Sequence, residues 1–262
     1  MSETPLQPSD RVASVPESGI RRFFEVAAEM DDVVSLGVGE PDFATPYRAR
    51  EAAIDSLQRG QTSYTANKGM VELRERIADH VTRYGLEYDP GEEIIVTAGA
   101  SEAIDATFRA LVNPGDSVAI AQPAYVSYEP GVRFAGGEPL PVETRAEDEF
   151  VLTRERLEAA GAQDAELLIY CYPNNPTGAT MTEDELREVA AFCREHDIAI
   201  MADEIYAALT YGEDHTSIAT LPGMRERTVV FNGFSKAYAM TGLRLGYALA
   251  PPHVIDSINR IH

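Results

Sequence analysis

Lysine is nearly missing from this chain: of its 22 basic residues 20 are arginines, and the two lysines are Lys68 and Lys236. Cysteine is as scarce. Cys171 and Cys193 are isolated and show no metal-ligand or redox spacing, so both read as buried free thiols, and no metal site is expected. Positive charge as a whole is short, because 43 acidic residues face 22 basic ones for a formal net charge of −21. That balance argues against binding along a nucleic-acid backbone. The sequence opens without a basic stretch followed by an apolar run, so no signal peptide is visible, and no apolar run reaches membrane-spanning length. A soluble cytoplasmic protein with no membrane contact is expected. Two phosphate-binding signatures are also missing. There is no GxxxxGK[ST] loop, and "GVGEPDF" is not a GxGxxG element.

What is present reads as a globular chain, 44% hydrophobic and 25% charged, with an acidic shell of the kind that suits high salt. Beyond an irregular Pro- and Ser-rich arm over residues 1–18, helix and strand patterns alternate. Helical spacing covers 19–30, about 47–58, 69–84, 101–111, about 125–134, 153–160 and 181–196. The last of these opens with Thr182 as N-cap and Glu185 three residues on, a capping-box pattern. Strand patterns cover the start of 33–43, then 93–99, 117–122, 138–143, 166–173, 198–204, 228–234 and 244–250. These strands are short, apolar on both faces and mostly separated by helices. The expected class is therefore α/β, a mostly parallel central sheet with helices on both faces.

In such sheets ligands bind beyond the carboxyl ends of the strands, and four polar clusters fall there. "TAGASEAI" (97–104) joins a strand to a helix N-terminus and suits an anion, although Ser101 also reads as an ordinary N-cap. "CYPNNPTGAT" (171–180) suits a sharp chain reversal, with the amides of Asn174 and Asn175 able to donate to a ligand oxygen. "MADEIY" (201–206) puts Asp203 at the end of an apolar strand. A carboxylate there is either exposed at the strand end or must find a cation or donors, and Tyr206 can aim its hydroxyl at the same place. "FNGFSKAYAMTGLRLGY" (231–247) offers Ser235 and Arg244 to a phosphate, with Lys236 between them. A lysine amine can lose its proton and condense with an aldehyde, which a guanidinium cannot do. Lys68, in "YTANKGM", reads as a loop cation.

Taken together and in order, "GEPDF", "YTANKG", "PNNPTG", "DEIY" and "SKAYAMTGLRLGY" resemble the class I/II aminotransferases, pyridoxal 5'-phosphate enzymes of fold type I, from about residue 19 to the end. The resemblance implies residues 1–44 as an N-terminal arm and part of a small domain, and residues 45–262 as the large cofactor-binding domain. The rest of the small domain, with a second arginine that clamps the substrate carboxylate, is expected to lie beyond His262. It further implies that Lys236 holds the cofactor covalently and then shuttles a proton, while Asp203 pairs with the ring nitrogen. Tyr206 and Asn175 would bond the ring hydroxyl oxygen, and Tyr125 would stack on the ring. Ala100, Ser101, Ser235 and Arg244 would hold the phosphate, joined by Tyr64 from the neighbouring subunit of a homodimer. Gly39, Ile20 and Asn175 would meet the substrate. The implied reaction transfers an amino group from an L-amino acid to a 2-oxo acid by a ping-pong route. A β-lyase of the same fold and a non-catalytic cofactor-binding regulatory module are the alternatives.

Overall fold

The computed structural model describes residues 6–16, 26, 39–212 and 214–262. Ile20, the helix expected over 19–30 and the strand expected from residue 33 lie outside the described residues. A short helix α1 (Asp10–Ala13) precedes α2 (Tyr47–Gln58) and α3 (Val71–Val81). An alternating series follows: β1 (Ile94–Thr97), α4 (Ala100–Leu111), β2 (Ser117–Gln122), α5 (Tyr128–Ala135), β3 (Glu138–Glu143) and α6 (Arg154–Ala160). It continues with β4 (Leu167–Cys171), α7 (Glu183–Glu195), β5 (Ala199–Asp203), β6 (Thr228–Gly233), β7 (Gly246–Leu249) and α8 (Pro252–Ile261).

The described strands form one sheet in the order β1-β7-β6-β5-β4-β2-β3. β3, β2, β4, β5 and β6 are parallel to their neighbours, whereas β7 runs antiparallel to both β6 and β1. The alternation of side chains along a strand divides the core in two. In β4, Leu167, Ile169 and Cys171 face a layer that includes Ala103, Ile104 and Phe108 of α4, Tyr128 and Val132 of α5, and Ile255 and Ile258 of α8. Leu168 and Tyr170 face the opposite layer, with Leu157 of α6 and Leu186, Val189 and Phe192 of α7. Every residue of β4 is buried, as a strand covered on both faces requires. A smaller cluster under α3 joins Ile77 and Val81 to Ile94, Val230 and Leu249.

The antiparallel strand matters for the site. The carboxyl ends of β1, β2, β4, β5 and β6 share one rim, and β7 begins there because it runs the other way. The residue pairs Thr97–Gly246 and Gly233–Gly246 align three strands at this edge. A Cβ on Gly246 would run into the backbone of Gly99 and Ala100, so only glycine lets the start of α4 lie against β7.

Candidate active site

Asp203 is the last residue of β5 and only 5% exposed. In register it sits between Cys171 of β4 and Phe231 of β6, on the face covered by α4, α5 and α8. Its Oδ2 accepts a hydrogen bond from the Tyr128 hydroxyl at 2.6 Å, and its Oδ1 accepts one from the Ile205 N–H at 3.2 Å. Burial pushes its carboxyl up to about 6, against the pull of those two donors. Both donors are neutral, so a cationic N–H brought to this carboxyl would stabilise its ionised form.

Lys236 follows β6 in the adjoining loop. Its Nζ donates to the Gly39 carbonyl and lies 5.9 Å from the centre of the Tyr206 ring. Its positive charge also acts on Asp203, favouring the ionised carboxylate. Tyr206 lies three residues past Asp203, and its hydroxyl accepts from Asn175 Nδ2 at 3.4 Å. Burial pushes the Tyr206 phenol up to about 12, so it keeps its proton and can donate it in a hydrogen bond. Asn174 is committed elsewhere. Its Nδ2 donates to the carbonyls of Pro123 and Cys171, and its Oδ1 accepts from the Thr177 N–H and hydroxyl, so it organises the loop that presents Asn175.

At the same rim the start of α4 presents its leading N–H groups, an arrangement that suits an anion. Gly99, at φ +87°, caps the helix and brings no side chain to its leading N–H groups, which belong to Ala100, Ser101 and their neighbours. Arg244 folds over the same turn, with Nη1 donating to the Thr241 carbonyl at 3.1 Å and Nη2 to the Ala98 carbonyl at 3.4 Å. A Cβ on Gly99 would stand 2.9 Å from Arg244 Cζ, so the guanidinium occupies space that only glycine leaves open. Arg244 is itself in the left-handed region, at φ +54°. Ser235 is buried immediately before Lys236.

Of the other expected residues, Tyr125 and Gly39 meet this cluster, whereas Tyr64 stands on an exposed loop. Tyr125 lies in the turn before α5, which starts at Tyr128, three residues later than expected, and its ring is 5.6 Å from that of Tyr128 at 79°. Tyr64 is fully exposed on a loop. Gly39 meets the cluster through its carbonyl, which accepts from Lys236. Lys68 is a structural cation: its Nζ lies 2.9 Å from Asp256 Oδ1, tying its loop to α8.

Two features have no signal in the sequence. Tyr128 reads there only as part of a helix, yet it is the closest partner of Asp203 among the hydrogen bonds of the described residues. On the opposite face of the sheet, buried Glu204 accepts from the Ser217 hydroxyl at 2.7 Å and lies 3.0 Å from His215 Nε2. A cavity of about 250 Å³ opens beside it, lined by Tyr170, Glu204, His215 and the nearby loop.

The model of the family "Aminotransferase class I and II" matches residues 31–262. The chain is 44% identical over 252 residues to an aspartate aminotransferase of Pyrococcus abyssi, covering 95% of this chain and 65% of that one. It is 42% identical over 254 residues to aromatic-amino-acid aminotransferase 2 of Thermococcus litoralis, covering 96% of this chain and 65% of that one. Among solved structures, the aspartate aminotransferase of Thermus thermophilus with maleate superposes with a TM-score of 0.91 at 39% identity, covering 98% of this chain and 68% of that one. The chain thus spans just under two thirds of the length of these curated relatives.

Proposed function

This chain belongs to the class I and II aminotransferase family, and from that premise we propose that the protein transfers an amino group from an L-amino acid to a 2-oxo acid by a ping-pong route. The family depends on pyridoxal 5'-phosphate. When bound, that group acts as an electron sink for a carbanion at the substrate α-carbon.

The residues at the rim fit it. Asp203, buried with only neutral donors on its oxygens, matches a cationic ring nitrogen, and the Arg244–α4 cradle matches a phosphate. Lys236 would supply the amine that holds the group's aldehyde carbon and would move a proton at the substrate α-carbon. Tyr206 and Asn175 direct their hydroxyl and amide at the ring oxygen. Tyr125 covers the ring, Ala100, Ser101, Ser235 and Arg244 hold the phosphate, and Gly39, Ile20 and Asn175 meet the substrate. We assign residues 45–262 to the cofactor-binding domain.

The single observation that carries this reading is the convergence of a buried acid, an amine and an arginine-flanked helix start on one sheet edge from three separate stretches of sequence. It supports the transferase over a surface cation with no chemistry. We also propose a homodimer. α2 buries none of its residues against its own chain although it carries Tyr47, Ile54 and Leu57, and Tyr64 is open to a second copy. None of the helices among the described residues is long and apolar enough to cross a membrane. We place the protein in the cytoplasm, with an acidic surface suited to high salt.

The test is a half-reaction. Protein loaded with pyridoxal 5'-phosphate is mixed with a panel of dicarboxylic, aliphatic and aromatic L-amino acids, and oxo acid is measured. The account expects one oxo acid per cofactor, with the spectrum restored by a second 2-oxo acid. Release of ammonia and pyruvate from a cysteine conjugate would move the assignment to a β-lyase. Cofactor uptake with no half-reaction on any amino acid would leave a binding module.

A further inference from the structure

Tyr128 opens α5 and is 1% exposed, its ring in the apolar layer that contains Ile104, Phe108 and Cys171. A buried phenol requires a partner for its O–H, and here the partner is Asp203 Oδ2 at 2.6 Å, a length typical of a hydrogen bond to a charged oxygen. The same ring packs in a T-shaped contact with Tyr125, at 5.6 Å and 79°. One side chain therefore touches both the acid at the end of β5 and the aromatic in the turn after β2.

We propose that Tyr128 is a positioning residue for the cofactor: its hydroxyl keeps Asp203 ionised and directed at the ring nitrogen, while its ring fixes Tyr125 for contact with the ring face. The proposal rests on the cofactor reading given above.

What Tyr128 decides is which form of Asp203 wins. Burial drives the carboxyl towards the neutral acid, and a neutral acid cannot offset a cationic N–H. The groups facing Asp203 come from several elements: Tyr128 from α5, Cys171 from β4, the Ile205 N–H, Glu204 and Tyr206 beyond β5, and Lys236 beyond β6. Tyr128, the Ile205 N–H and Lys236 favour the carboxylate, and Glu204 opposes it. Tyr128 is the largest of the favourable contributions, so its loss shifts the balance most.

The experiment compares Tyr128→Phe with the unaltered chain in two measurements. In the first, the Asp203 carboxyl is titrated in cofactor-free protein by ¹³C NMR, with Asp203→Asn locating its signal. The titration is expected to move to higher pH in Tyr128→Phe, and an unchanged titration overturns the proposal whatever the cofactor does. In the second, pyridoxal 5'-phosphate affinity is measured from pH 5.5 to 8.5. Tyr128→Phe is expected to bind roughly ten- to a hundred-fold more weakly, the scale of a lost hydrogen bond to a charged group, with the fall at low pH beginning earlier.

A double-mutant cycle separates positioning from simple packing. In the Asp203→Asn background Tyr128→Phe is expected to change affinity less than about two-fold. An equal loss in both backgrounds would mean that Tyr128 acts through packing alone and would overturn the proposal. Failure of the unaltered chain to take up the cofactor would instead overturn the functional reading, with the carboxyl titration still deciding the role of Tyr128.

Discussion

Asp203 and Glu204 are consecutive, both buried, and serve opposite faces of the sheet. Asp203 accepts from Tyr128 on the face covered by α4 and α5, whereas Glu204 accepts from Ser217 and lies against His215 on the other. The alternation of the strand, continued one residue past its end, places two carboxylates back to back with separate partners. Glu204 in turn makes ionisation of Asp203 harder, adding to the effect of burial. A charged acid kept in such a place costs stability, and its use has to be found in what it binds.

The cost gives a first prediction. The Asp203 carboxyl is raised from 3.8 to about 6 in the folded chain, so the native state holds the proton more tightly than the unfolded one. Its contribution is most favourable below the unfolded value, declines as pH rises from about 4 to about 6 and stays low above that, a difference of about 3 kcal/mol. Asp203→Asn is therefore expected to raise the stability of the cofactor-free chain at pH 8 by about 1–3 kcal/mol while weakening retention of pyridoxal 5'-phosphate. Urea unfolding at pH 5 and pH 8 checks it, and a variant less stable than the parent at pH 8 would count against this account of Asp203.

A second prediction concerns the close approach at the rim. A side chain at Gly246 meets the backbone of Gly99 and Ala100, which cannot give way as a flexible side chain would. Gly246→Ala is expected to cost about 3 kcal/mol or more in thermal or urea unfolding and to displace the start of α4, weakening phosphate binding. Gly242→Ala, with open space around the added atom, is the control and is expected to be nearly silent.

A third prediction tests local structure alone. Thr182 and Glu185 form both arms of the capping box at the start of α7, with the Thr182 N–H donating to Glu185 Oε2 at 2.7 Å and the Glu185 N–H to the Thr182 hydroxyl at 3.4 Å. Thr182→Ala is expected to cost about 1 kcal/mol of unfolding free energy without altering cofactor affinity. A cost below about 0.3 kcal/mol would show the cap to be ornamental.

Much of this architecture is legible in the chain because its signals are local. The bounds of β2 and β3 coincide with their apolar patterns, and the cap of α7 is written in two residues. Strand ends are less legible: the pattern over 166–173 runs on through Tyr172 and Pro173, whereas the ladder stops at Cys171, where the loop held by Asn174 begins. The antiparallel direction of β7 leaves no trace in periodicity, since a strand buried on both faces reads the same either way. Asp203 and Lys236 are legible because an acid and a lone lysine at the ends of apolar strands are out of place. Tyr128 is not, because an aromatic on a helix face reads as core, and its partner lies 75 residues away.

The most direct test of the central claim uses the two lysines against each other. The chain is mixed with pyridoxal 5'-phosphate, reduced with borohydride and mapped by peptide mass. Covalent label is expected on Lys236, lost in Lys236→Ala and Lys236→Arg alike, and sparse on Lys68, which is engaged with Asp256. Label shared equally between the two lysines, or undiminished by Lys236→Ala, would contradict the assignment of this sheet edge as the cofactor site.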